Sequence, residues 1–336
     1  MTARLADVAR YAQVSEATVS RVLNDKPGVA PATRQAVLTA LDVLGYDRPS
    51  RLRPQGGGSI GLVLPELTTP VFPALAQVVE TGLAAVGYAC VLCTVTAGGV
   101  HEEEYVRMLR DRGVAGIVFV SGGHADLTCP TDVYADLLAD GLPVVFVNGF
   151  REGLDAPFIS TDEEAAVRQA VGHLHDLGHQ RIGLAAGQAR FVPTVRKVEA
   201  YRAVMADLLG EHDVDELVAH TYVTVEGGAT AGRVLLGRGV TAVVAASDSM
   251  ALGVVRAARH LGRAVPSDLS VIGRDDSPLL PFTDPPLTTL RQDVTGMGQA
   301  VVSAMLDRIS GRERTTGEFL FSPELVVRGS TAAAPR

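Results

Sequence analysis

Two short apolar stripes with the period of an α-helix open the chain, and a short polar stretch separates them. The apolar positions of the first stripe are Leu5, Val8, Ala9 and Ala12, and those of the second are Val19, Val22 and Leu23. Ser15 stands where an N-cap is expected, so that its hydroxyl accepts a free amide of a helix beginning at Glu16. The pattern predicts two helices joined by a tight turn, the second with a polar outer face. Such a pair can place its second helix in the major groove of DNA, although similar pairs occur in many small helical domains.

A third stripe follows, and after it comes a segment with no core-forming pattern. Val29 to Leu44 is predicted to be a helix, with Pro31 in its first turn and Gly45 after its end. The linker, 47–59, holds three arginines, two prolines and three consecutive glycines. A segment of this composition cannot pack a core, so the three helices are predicted to form a small head of their own.

From Ile60 onward, short apolar runs typical of strands alternate with amphipathic helical stretches. The predicted strands are Ile60 to Leu64, Ala89 to Val95, Gly116 to Val120, Pro143 to Val147, Ile182 to Ala186, Ala242 to Ala246 and Leu269 to Ile272. The predicted helices are Phe72 to Val86, Glu102 to Arg112, Glu163 to Leu177, Val198 to Leu209 and Ser249 to Leu261. Strands and helices in turn predict an α/β body of parallel sheets covered on both faces. About 275 residues are more than one sheet comfortably takes, so two successive lobes are expected.

Composition and charge change this picture in one respect. The 336 residues are 47% hydrophobic and 20% charged, an ordinary globular composition, but their net charge of −8 argues against a nucleic-acid partner. The first 55 residues, however, hold eight Lys or Arg and five Asp or Glu, so a basic head precedes an acidic body. This asymmetry directs phosphate contacts to one end of the molecule. No run approaches the ~20 apolar residues of a membrane span or forms a signal peptide, so we expect a cytoplasmic protein with no membrane partner.

Motifs along the chain carry a specific resemblance. The head contains Asp7-Val8-Ala9, Ala12-x-Val14-Ser15, Thr18-Val19-Ser20-Arg21-Val22-Leu23-Asn24, Thr33-Arg34 and Leu44-Gly45-Tyr46. The body contains Leu177-Gly178-His179, Ser247-Asp248-x-Met250 and Pro285-Pro286-Leu287-Thr288-Thr289-Leu290. In these motifs the chain resembles the LacI/GalR (lactose-repressor) family of bacterial transcription regulators over nearly its whole length.

The resemblance implies a division of the chain. A three-helix helix-turn-helix domain, 1–46, precedes a hinge, 47–59, and a two-lobed periplasmic-binding-protein-like body for effector binding and dimerisation, 60–336. Crossings near Thr161, Leu290 and Phe321 make both lobes discontinuous, with lobe 1 at about 60–161 and 291–321 and lobe 2 at about 162–290 and 322–336. The family's hinge forms a helix on operator DNA and wedges a leucine into the minor groove. Here the hinge is shorter and Pro54 interrupts it, so Leu52 as a wedge and a flexible basic tether remain alternatives.

The predicted DNA contacts lie on the second and third helices. By position, Glu16, Ala17 and Arg21 point toward base edges, whereas Thr18, Ser20 and Thr33 point toward phosphates, and Arg34 belongs to the same family pattern. Phosphates repel a carboxylate, so Glu16 either accepts from a cytosine amino group or caps the helix.

The predicted effector site lies beyond the carboxyl ends of the strands, in the cleft between the lobes. Asp275 follows the Leu269 to Ile272 strand and, by the resemblance, stands where relatives bind effector hydroxyl or ring N–H groups. Its alternative role is to cap the following turn. The remaining predicted contacts are Pro70 and Phe72 as an apolar wall, Ser121 and Asn148 as hydrogen-bonding groups, and Ser247 beside Asp248. Phe72 also fits a core position, and Asn148 also fits a turn.

The segment from Arg190 to Lys197 contains the candidate cations of the cleft. Counting back four residues from the aromatic Tyr201, as in relatives, gives Lys197, but Arg196 is adjacent and Arg190 precedes both. Whether Arg196 or Lys197 enters the cleft stays open, and Arg190 is a further predicted effector contact. Arg274 departs from the family, where an aromatic residue is usual, and either extends the pocket toward an anionic ligand or lies on the surface.

The histidines and cysteines of the sequence predict no metal site and no catalytic site. The spacings of His173, His175 and His179 bring at most one pair to the same helix face, so no metal site is expected. Cys90 and Cys93 lie three apart on a predicted buried strand and point to opposite faces. No cofactor and no catalytic residue is predicted. The sequence indicates a ligand-responsive repressor, not an enzyme, that binds a double-stranded, pseudo-palindromic operator as a homodimer. The rivals are a transport-type solute-binding protein and an enzyme fused to a DNA-binding head.

Overall fold

The computed structural model describes residues 5–23, 26, 28–44, 58–95, 98–312 and 316–335. The predicted wedge residue Leu52 and the interrupting Pro54 lie outside these residues. The head and the body are described separately below, because they form separate compact units.

The head consists of three helices, α1 (Leu5–Tyr11), α2 (Glu16–Leu23) and α3 (Pro31–Val43). Their core contains the predicted apolar stripes, with Val8, Val19, Val22 and Leu41 fully buried. The Ser15 hydroxyl accepts a hydrogen bond from the Thr18 amide at 3.1 Å. Ser15 is therefore the N-cap of α2, as predicted, and this cap fixes where the outer face of α2 begins.

The body contains two six-stranded sheets. The first has the strand order β11-β5-β4-β3-β1-β2 and the second β12-β10-β9-β8-β6-β7. The first sheet takes its strands from β1 (Ser59–Leu64), β2 (Ala89–Thr94), β3 (Gly116–Val120), β4 (Val144–Val147), β5 (Pro157–Thr161) and β11 (Gly317–Phe321). The second takes β6 (Ile182–Ala186), β7 (Val218–His220), β8 (Ala242–Ala245), β9 (Ser270–Arg274), β10 (Thr288–Arg291) and β12 (Glu324–Val326). In the first sheet, β1 pairs with β3, β3 with β4, β4 with β5 and β5 with β11, and all four pairs are parallel. In the second sheet, β7 pairs with β6, β6 with β8, β8 with β9 and β9 with β10, again in parallel. Strand β12 runs antiparallel to β10.

Helices alternate with the strands, which confirms the predicted α/β class. They are α4 (Val71–Ala85), α5 (Glu102–Asp111), α6 (Asp132–Ala139), α7 (Glu163–Asp176), α8 (Val192–Leu209), α9 (Val225–Gly237), α10 (Asp248–His260) and α11 (Val294–Ile309). No helix in the described part of the chain is long and apolar enough to span a membrane. We refer to the first sheet with its helices as lobe 1 and to the second as lobe 2; the residue bounds expected for the lobes stay predictions.

Two expectations about individual elements were wrong. The strand over Cys90 and Cys93 is not fully buried, because β2 is the edge of its sheet and Leu92 is 47% exposed. Helix α8 begins at Val192 and not at Val198. Pro193 is well suited to the first turn of a helix, but the residues around it form no apolar stripe, so the pattern did not indicate this earlier start. The earlier start matters for the site, because it places Arg196 and Lys197 on the helix.

The sequence pattern also missed helix α9, whose glycines resemble a loop. A Cβ at Gly228 would lie 2.1 Å from the carbonyl oxygen of Met250, and one at Gly253 would lie 2.1 Å from that of Val225. Both glycines are therefore required by the close approach of α9 and α10. They serve packing here rather than chain reversal.

Candidate functional site: a cavity between the sheets and a helix-turn-helix head

A cavity of about 330 Å³ lies between the two lobes, where loops that follow the strands of both sheets converge. Seven predicted residues are in its wall: Phe72, Ser121, Asn148, Lys197, Ser247, Arg274 and Asp275. The apolar part of the wall comes from both lobes, with Pro65, Phe72 and Leu75 on one side and Phe191 and Val223 on the other. A cavity of this size, with an apolar wall and a set of convergent polar groups, suits a small ligand.

Three of these residues have an unusual backbone. Ser121, Asn148 and Asp275 directly follow β3, β4 and β9, and their φ angles are +46°, +61° and +110°. Positive φ is uncommon for residues other than glycine and costs on the order of 1–3 kcal/mol. The surrounding sheets hold this strain at the three polar corners of one cavity, and strain concentrated in this way points to a functional site.

Four charged side chains form a cluster in the cavity wall: Glu163, Lys197 and Arg274, which are buried, and Asp275, which is partly buried. The Glu163 carboxylate accepts from both cations, with Lys197 Nζ at 3.3 Å from Oε2 and an Arg274 Nη1 contact to the same oxygen. Arg274 Nε also lies 4.0 Å from Asp275 Oδ1. Arg274 is therefore not a surface residue: it lines the cavity, and its guanidinium is paired with carboxylates inside the wall. Its other expected role, to extend the pocket toward an anionic ligand, stays a prediction.

The cluster shifts the pKa values of its members in different directions. Burial raises the pKa of Asp275 to about 6, despite the opposing effects of Arg274, Gln292 and Lys197. Burial, together with repulsion by Arg274, lowers the pKa of Lys197 to about 8. Burial would raise the pKa of Glu163, but Arg274 and Lys197 hold it below its ordinary value. The cations therefore stabilise the ionised form of Glu163 more than burial destabilises it, whereas for Asp275 burial outweighs its partners.

The raised pKa of Asp275 predicts a pH-dependent stability for Asp275→Asn. Between the ordinary value of 3.8 and about 6, the folded state binds more protons than the unfolded state, so stability falls as pH rises through this window and stays lower above it. Removing the charge should make the ligand-free variant more stable than the parent by about 2–3 kcal/mol at pH 7.5 and by less at pH 5. Denaturant unfolding at both pH values measures this. A variant less stable than the parent at both would contradict the assignment, and Asp284→Asn, whose side chain is fully exposed, is the control.

Gln292 connects the cluster to the segment that crosses between the lobes. Its amide Nε2 donates to Asp275 Oδ1, and its Oε1 accepts from the Thr161 hydroxyl at 2.6 Å. Thr161 ends β5 and Gln292 directly follows β10. Sequence reasoning missed both Gln292 and Glu163, because β5 and β10 were not recognised as strands and so their ends were not searched.

The lobe 1 corner of the cavity is a hydrogen-bonded chain. Asn148 Nδ2 donates to Ser121 Oγ at 3.2 Å, and Asn148 Oδ1 accepts from the Thr161 amide at 3.4 Å. Opposite them, Ser247 caps α10 by accepting from the Met250 amide at 3.1 Å. The Ser247 hydroxyl is thereby fixed as an acceptor toward the helix and keeps its proton available as a donor.

Three predicted effector contacts lie outside the cavity wall: Pro70, Arg190 and Arg196. The Arg196 guanidinium pairs with Glu318 at 2.6 Å, so Lys197 is the cation that enters the cavity. Arg190 connects the lobes instead: its Nε lies 3.2 Å from Asp126 Oδ2, and its carbonyl accepts from the Leu127 amide at 2.8 Å. Pro70 precedes α4, and the neighbouring Thr69 and Val71 line the cavity in its place.

The outer face of α2 in the head is polar and open. Glu16, Ala17, Ser20 and Arg21 are exposed, and Thr18 is half-buried with its hydroxyl 2.9 Å from Ser15 Oγ. Thr33 and Arg34 are half-buried in the first turn of α3. This arrangement presents the predicted base-reading residues on one helix and the predicted phosphate-contacting residues around them.

The histidines and cysteines make no metal site in the described residues. No group of three or more His, Cys, Asp or Glu side chains in this part of the structure could hold a metal ion. His179 is fully buried, with ring nitrogens 2.8 Å from Thr241 Oγ1 and 3.0 Å from Ser270 Oγ. These contacts join the segment before β6 to the residue before β8 and to β9.

Sequence comparison identifies both parts of the molecule. Residues 4–49 match the family model described as bacterial regulatory proteins, lacI family, and residues 171–331 match a periplasmic binding protein-like domain. The HTH-type transcriptional regulator MalR of Streptomyces coelicolor is 58% identical, with 100% of this chain and 98% of MalR covered. This chain belongs to the lacI family.

Solved structures place the lacI-family chain among regulators of the same architecture. A complex of the transcriptional regulator CelR with cellobiose has a TM-score of 0.74 at 32% identity, covering 98% of this chain and 99% of CelR. A lac repressor dimer bound to operator and the anti-inducer ONPF has a TM-score of 0.70 at 28% identity, covering 99% and 100%. The chain is thus a transcriptional regulator with a helix-turn-helix head and not an enzyme. The solute-binding and fused-enzyme alternatives are wrong.

Proposed function

We propose that the chain is a repressor that binds a pseudo-palindromic operator as a homodimer and whose operator affinity is set by a sugar or related small polar metabolite in the cavity. The observation that carries this proposal is the convergence of Asp275, Asn148, Ser121 and Lys197 on one cavity of the chain that also bears the helix-turn-helix head. The repressor acts where the DNA is, in the cytoplasm.

The chemistry of the wall favours a sugar. A saccharide presents hydroxyls that donate and accept, and it presents faces of C–H groups that are apolar. Carboxylate and amide oxygens accept from such hydroxyls, Lys197 donates to them, and Phe72 with Pro65 offers an apolar surface. The cellobiose bound to CelR supports this choice, since CelR shares the fold over almost its whole length.

The proposed dimer follows from the geometry of DNA reading. One three-helix head covers a half-site, and two-fold symmetry supplies the second. Leu279 and Phe282 in lobe 2 are 71% and 84% exposed, and an exposed pair of large apolar side chains is typical of a contact with a second copy. The lac repressor relative on its operator is a dimer, which supports the same assembly here.

The proposed control is linkage between effector binding and the arrangement of the lobes. Asp275 is joined through Gln292 to Thr161 at a crossing between lobes, and Arg190 joins the lobes through Asp126. An effector that contacts both lobes binds one arrangement better than another. It shifts operator affinity by as much as its two affinities differ and no more.

The test is operator binding by the full chain in the presence of sugars. Fluorescence anisotropy with labelled DNA from upstream of the chain's own gene, titrated with and without cellobiose, maltose or ribose, gives operator affinity and its change. At least one sugar should change the affinity at least fivefold, or about 1 kcal/mol of coupling. Operator binding that no sugar in a broad panel alters would refute the proposed effector class.

Base reading by Arg21 is tested separately. Replacing the exposed Arg21 by Ala should cost about 1–3 kcal/mol at one base position and relax the preference there, because a bidentate contact to a base edge is lost. Arg233→Ala removes the same charge from an exposed position of the body and is the control. If Arg21→Ala discriminates among single-base operator variants as the parent does, Arg21 does not read a base.

A further inference from the structure

Glu163 offsets the charges of two buried cations in the cavity wall. Glu163 is 7% exposed and contacts both buried cations, Lys197 at 3.3 Å and Arg274 through the same carboxylate oxygen. Asp275 is more distant, at 4.0 Å from Arg274 Nε, and its Oδ1 accepts from Gln292. Two cations in a cavity wall would otherwise form a site for a phosphate or carboxylate group. Glu163 occupies the position between them that such an anion would take.

The position of Glu163 is fixed by the fold. It is the first residue of α7, and the preceding Asp162 caps the helix by accepting from the Ala165 amide at 2.9 Å. The helix N-terminus favours a negative charge at this point. Glu163 is therefore held as a permanent internal anion, and it does not depend on a ligand to remain in place.

We propose that Glu163 determines effector specificity by cancelling the charges of Lys197 and Arg274, so that the cavity accepts neutral sugars and excludes phosphorylated or carboxylated ones. The inference rests on the proposed effector function of the cavity. With Glu66, which also lines the cavity, three carboxylates and two cations leave the wall without net positive charge, and an entering phosphate would face both Glu163 and Asp275 at short range. A neutral sugar meets no such repulsion, since its hydroxyls both donate to carboxylates and accept from cations.

Glu163→Gln tests the cancellation, with Glu164→Gln as the matched control. Both variants remove one negative charge from the first turn of α7, but the Glu164 side chain is 70% exposed and lies 3.6 Å from the surface residue Arg168. Binding of inorganic phosphate, glucose 6-phosphate and cellobiose to the full chain is measured by calorimetry. Glu163→Gln should bind the two anions at least about tenfold more tightly than the parent, with an affinity that falls as salt rises. Glu164→Gln should match the parent.

Two further variants separate charge from shape. Glu163→Asp keeps the charge and should exclude anions as the parent does. Glu163→Gln combined with Lys197→Met removes one of the released cations and should lose the gain. Because Glu163→Gln leaves two buried cations adjacent, its unfolding temperature is measured as well: phosphate should raise this temperature for Glu163→Gln but not for Glu164→Gln, since a ligand of the folded state stabilises it.

The outcomes distinguish this inference from the proposed function. Equal anion binding by Glu163→Gln and Glu164→Gln, with no phosphate-dependent rise in the unfolding temperature, would overturn the specificity role and leave effector control untouched. A parent chain that binds glucose 6-phosphate more tightly than every neutral sugar would also overturn it. A parent chain that binds no sugar would instead count against the proposed effector class, while the comparison of the two variants would still report on the charge cancellation.

Discussion

Asp275→Asn should abolish the response of operator binding to effector and leave operator affinity without effector within about twofold of the parent. The amide keeps the shape of the carboxylate but replaces half of its acceptor capacity by donors. Hydrogen bonds to a charged group contribute about 1.5–3 kcal/mol each, so the loss of two weakens effector binding about 100-fold or more. The head that binds DNA is a separate unit from the lobe that holds Asp275, so only the coupling is lost.

Anisotropy titrations of operator with parent and variant, at increasing effector concentration, measure this result directly. Asp213→Asn is the control, because Asp213 is exposed on the same lobe, lines no part of the cavity and is distant in sequence from the proposed dimer contact. A folded Asp275→Asn protein that responds at the parent's effector concentration would remove Asp275 from the site. In that case the assignment of the cavity would depend on the similarity of fold alone.

Phe282→Asp should convert the proposed dimer into a monomer and weaken operator binding by two orders of magnitude or more. Burying an aromatic side chain contributes about 1.5–3 kcal/mol, and a two-fold interface contains it twice. The substitution also places one carboxylate from each copy in the proposed interface. A monomer contacts one half-site, so the second set of operator contacts no longer adds to the affinity.

Sedimentation velocity at micromolar concentration and operator titration at nanomolar concentration test the two halves of this expectation. Tyr222→Asp is the control, since Tyr222 is 69% exposed in the loop after the edge strand β7, whereas Phe282 lies between the internal strands β9 and β10. A Phe282→Asp variant that sediments as the parent does would show that the interface lies elsewhere.

The sequence was informative where one apolar period ran uninterrupted. The stripes around Val8, Val19 and Leu41 predicted the three helices of the head, and β3 and β6 have the predicted bounds. These central strands are buried on both faces, so they appear as continuous apolar runs. The edge strands β7, β11 and β12, the short strand β10 and the internal strand β5, which contains Pro157, Ser160 and Thr161, lack such runs. Helix α9 was hidden by glycines that its packing against α10 requires.

The candidate site was predicted only in part, for a related reason. Asp275, Asn148 and Ser121 lie at or shortly after the carboxyl ends of strands that the pattern predicted. Because ligands bind beyond these ends in parallel sheets, the sequence located all three residues. Glu163 and Gln292 follow strands that it did not reveal. Arg196 was misplaced because adjacent cations on a helix point in different directions, and sequence alone does not give the rotation of α8 about its axis. Arg190 lies in the turn before α8, where no regular period predicts the direction of a side chain.

The buried charge cluster limits how this regulator can acquire a new effector. Changing any one of Glu163, Lys197 or Arg274 leaves an unmatched charge in the interior, which typically costs about 3–5 kcal/mol and is a large share of a domain's stability. Exposed specificity residues can change one at a time during evolution. In this chain, the route to a different sugar class runs through paired substitutions, in which a cation and its carboxylate are exchanged together.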